Sequence, residues 1–186
     1  MASELQVTTL KGNPTGANAN KIVIPSGQTL DVGEGTIAPS VDQIVQHKMT
    51  KPIAPTAFSS GSYTDATGFA LAITPKYASS KILIRVWSKV GQNNSASGNS
   101  AQDNRLTRNG TTIYSSQWTN YLNSNWATSD FYIPFTLSYI DEPNTTSLIT
   151  YKLQGRLYGG GQLGWTINDA NGGEGIAAME VLEIKQ

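Results

Sequence analysis

A chain of 186 residues is long enough for one sizeable domain plus an appendage. Thirteen basic and thirteen acidic side chains cancel, and only 14% of residues are charged, so nothing draws the whole chain to nucleic acid or an anionic membrane. The lack of cysteine excludes disulfides and thiolate metal sites, no apolar run nears the roughly 20 residues that span a bilayer, and MASELQVTTLKG lacks the pattern of a signal peptide.

Residues 1–42 read as an extended arm. Leu5 and Val7 alternate, Lys11–Asn20 has loop composition, and Ile22, Val23 and Ile24 form a short apolar run before the Pro25-Ser26-Gly27 turn. Such pieces are too short to bury a core of their own. Ordering backbone costs ~1–2 kcal/mol per residue, so the arm is expected to be held by other chains, with Leu5, Val7, Ile22 and Ile24 as its docking side chains. Packing back on its own domain is the plainer alternative.

From residue 43 to 186 the chain reads as short strands. VDQIVQHKM at 41–49 also fits a helix start, with Ser40 and Gln43 as a capping box, but everything downstream favours strand. Phe69, Leu71 and Ile73 alternate. In Lys81–Val90, Ile82, Ile84, Val86 and Val90 share one face, and Leu83, Arg85, Trp87 and Lys89 the other. Gln92–Asn104 reads as an exposed polar loop. Asn109-Gly110 predicts a type I′ hairpin turn that sets Arg108 against Thr111, Thr107 against Thr112 and Leu106 against Ile113. Ser115–Asp130 carries Trp118, Tyr121 and Trp126 among polar residues.

The strongest signal runs from Phe131 to Gly161. Phe131, Ile133, Phe135, Leu137 and Tyr139 face one way; after the turn residues of DEPNTTS, so do Ile149, Tyr151, Leu153 and Leu157. Gly155 falls on this apolar side, marking a bulge or the close approach of another backbone. A short strand at Gln162–Ile167, a polar loop, and Glu180–Ile184 with Leu182 and Ile184 inward complete the chain. The pattern predicts an all-β fold, an antiparallel jelly-roll-like β-sandwich preceded by the arm.

DATGFALAITPKYASSKILIR at Asp65–Arg85 resembles the opening strands of a module of tail-fibre and other virion proteins in marine, cyanophage-like bacteriophages. LTRNGT at Leu106–Thr111, SYIDEPNTTS at Ser138–Ser147 and TYKLQ at Thr150–Gln154, followed by Gly159, Gly160 and Gly161, resemble later parts of it in the same order. KIVIPSGQTLDV at Lys21–Val32 resembles the short β repeats that precede such modules. The resemblance implies a β-sandwich head, three copies per assembly, and a place in the virion. It brings no catalytic motif.

Reactive groups are sparse. His47 is the sole histidine, in the lead-in to the module, where a solvated ring is the plain reading. With no cysteine beside it, no zinc site is expected, and no cofactor either. Asp65, Asp103, Asp130, Asp141, Glu142 and Asp169 read as turn formers rather than a glycosidase pair. NDANGGEG at Asn168–Gly175 lacks the spacing of a calcium loop. Trp118, Tyr121 and Trp126 stack on sugars of a host-surface glycan, anchor an interface, or cover one end of the core; the sequence leaves these open. Leu83, Trp87, Ile140 and Tyr158 interrupt otherwise polar strand faces and are the candidate subunit interface.

The resulting expectation is a non-enzymatic phage structural protein: a short trimeric tail fibre that meets other virion proteins through residues 1–42 and presents the head for host attachment. A capsid decoration protein or head fibre is the alternative within that class. A soluble carbohydrate-binding module is the alternative outside it. A depolymerase is disfavoured, because no catalytic pair stands out.

Overall fold

The computed structural model describes residues 26, 41–92, 100–122, 131–158, 165–167 and 177–186. The chain divides into two units, Met1–Ala38 and Pro39–Gln186. The expected arm, with Leu5, Val7, Ile22 and Ile24, lies outside the described residues except for Ser26, Val41 and Asp42. Asp42 goes with the second unit. Its N–H donates to the Lys185 carbonyl at 2.6 Å, and the Lys185 N–H donates to Gln43 at 3.0 Å.

The described residues contain strands and no helix: β1 Ile44–Thr50, β2 Thr56–Phe58, β3 Thr64–Ile73, β4 Lys81–Gln92, β5 Ser100–Arg108, β6 Thr111–Leu122, β7 Phe131–Asp141, β8 Ile149–Tyr158, β9 Trp165–Ile167 and β10 Ala178–Ile184. They form two antiparallel sheets. The larger runs β1-β10-β4-β7, with β9 and β2 continuing from the β10 side of β4; the smaller runs β3-β8-β5-β6. Apart from the β5–β6 hairpin, each connection between the eight longer strands crosses from one sheet to the other. That order is the jelly roll expected from the sequence.

The core lies between the sheets. Ile82, Ile84, Val86 and Val90 of β4, Phe135 and Leu137 of β7, and Met179 and Val181 of β10 meet Phe69 and Ile73 of β3, Leu106 of β5, and Ile149, Tyr151, Leu153 and Leu157 of β8. Each such side chain contributes about 1.5–3 kcal/mol when fully buried. One polar cluster spans the interior. Arg108 Nη1 donates to Asp141 Oδ1 and Oδ2 at 2.9 and 2.8 Å, and the Tyr151 hydroxyl donates to Oδ2 at 2.6 Å. Burial first, and the bond to Asp141 second, push the Tyr151 phenol far above its ordinary range, so it stays a neutral donor.

Several sequence expectations are corrected. Gln92–Asn104 is not wholly a loop, because β5 begins at Ser100, and Gln102, Asp103 and Asn104 are completely buried. Asp65, Asp103 and Asp141 are strand residues paired with cations, not turn formers. In β10 the inward residues are Met179, Val181 and Glu183, set opposite Val86, Ile84 and Ile82; Leu182 lies opposite Leu83 on the outer face. Glu183 faces inward because its carboxylate has donors there: Ser80 Oγ at 2.7 Å, the Lys76 and Tyr77 N–H groups at 2.8 and 3.1 Å, and the Gln46 amide.

The hairpin turn has positive φ at both Asn109 (50°) and Gly110 (84°), as type I′ requires. Arg108 faces Thr111 and Thr107 faces Thr112, but Leu106 faces Tyr114 rather than Ile113. Ile113 is the extra residue of a bulge, which turns Tyr114 inward against Tyr139 with ring centroids 5.6 Å apart. Gly155 marks a close approach, of the Phe58 ring rather than of a backbone. The bulge lies across the ladder in β3, between Asp65 and Ala70, where Gly68 takes φ 79°.

Candidate functional site

The outer face of the smaller sheet carries the densest set of functional side chains. Along β8, alternation turns Lys152, Gln154, Arg156 and Tyr158 outward, since 149, 151, 153, 155 and 157 are buried. Register then fixes their neighbours on β5: Thr107 beside Lys152, Arg105 beside Gln154, Asp103 beside Arg156 and Ala101 beside Tyr158. On the other side Asp65 of β3 lies opposite Gln154.

These groups form one connected network. The Tyr63 ring lies 4.1 Å from the Arg105 guanidinium carbon and 4.7 Å from that of Arg156, which also faces Tyr158 at 5.6 Å. Arg105 Nε donates to Gln154 Oε1 at 2.6 Å, Gln154 Nε2 donates to Asp65, and Lys152 Nζ donates to Asp65 at 2.7 Å. Arg156 grips Asp103 Oδ2 through Nε at 2.9 Å and Nη2 at 2.7 Å. Hydrogen bonds from Lys152 and then Gln154 hold the Asp65 carboxyl below the usual carboxylate range. The bond to Asp103 raises the Arg156 pKa against the opposing effect of burial.

The outer face of the larger sheet is of another kind. Leu83 lies between Leu182 of β10 and Ile140 of β7, and Trp87 between Ala178 and Thr136. Ile44 and Met49 of β1 lie opposite Ile184 and Glu180 on the same face. Ile140, Ile44 and Met49 are 55%, 58% and 45% exposed. His47 is on this face too, 3.0 Å from Glu180, whose other oxygen is 3.0 Å from Arg85.

The predicted interface set is therefore split. Leu83, Trp87 and Ile140 share one face, while Tyr158 belongs to the opposite sheet. Trp126 and the Asn168–Gly175 loop lie outside the described residues. Trp118 and Tyr121 belong to β6, where the Tyr121 backbone pairs with that of Ala101. Sequence reasoning missed Tyr63 and Arg105. The alternation of β8 exposes Arg156, but the β5–β8 pairing that brings Arg105 beside it joins strands distant in sequence.

Among the described residues no group of three or more His, Asp or Glu side chains could hold a metal ion, and no helix is long and apolar enough to cross a membrane. What the smaller sheet offers chemically is recognition: fixed donors, acceptors and aromatic faces.

The sequence matches no protein-family model and no curated protein. Among solved structures, dimeric latent PorU from Porphyromonas gingivalis is similar over 86% of this chain, at 13% identity and a TM-score of 0.44. The chain spans 15% of the length of that protein.

Proposed function

We propose that this chain is a non-enzymatic structural protein of a bacteriophage particle, a short trimeric tail fibre. Its N-terminal region docks on other virion proteins, and its jelly roll is the head presented for host attachment. The observation that carries the reading is the apolar surface on the outer face of the larger sheet, where the row of Leu182, Leu83 and exposed Ile140 is joined by half-buried Trp87 and exposed Ile44 and Met49 around the His47, Glu180 and Arg85 cluster. Exposed apolar surface of this kind fits burial between copies. The resemblance to phage modules supplies the number three and the virion context. Its fragments fall on consecutive parts of the head: β3 to β4, the β5–β6 turn, the β7–β8 connection and β8.

Light scattering on the purified chain tests the assembly. The expected mass is that of three chains at micromolar concentration, falling to one on Ile140→Glu combined with Leu83→Glu. A monomeric wild type defeats the trimer. Deleting residues 1–40 tests the docking. The truncated chain should fold yet fail to enter particles, and incorporation at normal copy number places the attachment in the head instead.

A soluble carbohydrate-binding module is the second reading, favoured by the polar and aromatic outer face of the smaller sheet. A monomer that binds glycan and never enters particles would decide for it.

A further inference from the structure

We propose that the outer face of the smaller sheet binds an anionic polysaccharide, with Arg105 contacting the acidic groups and Tyr63 and Tyr158 flanking the sugar chain. The proposal deepens the reading of the head as the attachment part and rests on it for its biological sense.

Arg105 is the centre of the argument. Its guanidinium is fixed before any ligand arrives, stacked on Tyr63 at 4.1 Å and anchored through Nε to Gln154 at 2.6 Å. Gln154 is itself tied to Asp65, and Asp65 to Lys152. The ordering that binding would otherwise impose on a long side chain is already complete. The anchoring bond uses only Nε. Among the described residues Arg105 makes no direct ion pair with a carboxylate, although the Asp65 charge is near enough to feel it, so the two Nη groups remain as a planar fork suited to a carboxylate or sulfate.

Charge points the same way. Arg105, Lys152 and Arg156 are three cations against two carboxylates, Asp65 and Asp103, an excess of one on this face of a chain with no net charge. Asp103 is paired with Arg156, so the unbalanced charge falls to Arg105 and Lys152 against Asp65.

The shape favours a polymer over a single ion. Lys152, Gln154, Arg156 and Tyr158 occupy alternate positions of one strand, a row about 20 Å long at ~3.3 Å per residue. A sugar chain is favoured over a nucleic acid because Asp65 and Gln154 place acceptors on the face. The hydroxyls that a polysaccharide carries between its acidic groups can donate to these acceptors. Tyr158, 43% exposed, adds a ring face for stacking.

The test is affinity electrophoresis and calorimetry on the purified full chain with four probes: polygalacturonate, dextran sulfate, neutral dextran and a single-stranded oligonucleotide. One or both of the acidic polysaccharides should bind, and which one does tells carboxylate from sulfate recognition. Neutral dextran should bind at least about tenfold more weakly. Arg105→Ala should weaken binding by about tenfold or more, the scale of a charge-assisted hydrogen bond, and Arg105→Lys less. Lys152→Ala is a second variant of the same face. Lys89→Ala removes a cation beside Tyr132 on the other sheet and should change nothing. The proposal is overturned by equal binding of neutral dextran, by tighter binding of the oligonucleotide, by no binding at all, or by binding that survives Arg105→Ala in a folded protein. Each result leaves the oligomeric mass and particle incorporation to be judged separately, so loss of this site does not remove the assembly reading.

Discussion

Gly155 offers the sharpest test of the packing. A Cβ built on it would lie 2.5, 2.6 and 2.8 Å from three carbons of the Phe58 ring, where carbon atoms pack at about 3.5–4.0 Å. The ring would have to retreat by roughly 1 Å, and Phe58 is only 1% exposed, enclosed by the core. Overpacking of this kind costs about 1–3 kcal/mol. Replacing glycine also stiffens the unfolded chain, which returns about 0.4–1 kcal/mol. The clash is the larger effect, so Gly155→Ala should destabilise the head by about 1–2 kcal/mol, seen as a lower urea midpoint at unchanged slope. The cause is isolated in a Phe58→Ala background, itself about 3–5 kcal/mol less stable. There the added Gly155→Ala should be neutral or stabilising. A stable single mutant, or the same loss in both backgrounds, would refute the reasoning.

Gly110→Val places a β-branched residue at φ 84° and should cost about 1–3 kcal/mol; an unchanged thermal midpoint would contradict the type I′ turn. Tyr151→Phe removes a donor to a buried carboxylate and should cost about 1.5–3 kcal/mol by chemical denaturation, leaving Arg108 as the remaining partner of Asp141. Asp65 has a lowered folded pKa, so its contribution is complete above the ordinary aspartate value near 4 and is lost as pH falls through the folded value. Because Asp65 and Lys152 are both well exposed, that contribution is at most about 1 kcal/mol, and Asp65→Asn should flatten this part of an acid stability profile.

Strands were legible wherever one face is dry and the other wet. In β4, β7 and β8 the period-two pattern identifies the inward residues, because apolar burial governs one face while the other meets solvent. The pattern misleads where polar groups are buried. Gln102, Asp103 and Asn104 read as loop, yet Gln102 Nε2 bonds Asn104 Oδ1 at 2.8 Å inside the sandwich and Asp103 is held by Arg156. In β10, Leu182 and Ile184 read as the inward pair, but the donors around Glu183 reverse the parity. The β5–β6 turn was legible because Asn-Gly dictates it, while the Ile113 bulge answers to Tyr139 on another sheet. The candidate site is harder still. Tyr63 lies in a Ser-rich connection, and Arg105 and Arg156 meet only through pairing of non-consecutive strands. Alternation can show that a residue faces out, but not which neighbour it faces out beside.

The two outer faces make the assembly and binding readings separable by mutation. In a sandwich, the outer faces of the two sheets look in opposite directions. If copies bury the strip around Leu83 and Ile140, the row from Lys152 to Tyr158 points away from that contact. Ile140→Glu sets a carboxylate into the strip and should lower the oligomeric mass, while each remaining monomer keeps its network around Arg105. Arg105→Ala should do the reverse, keeping the mass and losing the acidic polysaccharide. A monomer from Ile140→Glu should match the wild type in affinity per site, measured in solution on a short acidic oligosaccharide. On a long polymer it should bind more weakly, because linked sites gain from effective concentration and single sites do not. Equal affinity of monomer and assembly for the long polymer would mean that only one face per particle engages. Loss of short-oligosaccharide binding in the monomer would mean that the site is completed by a neighbouring copy, and that the two faces are coupled.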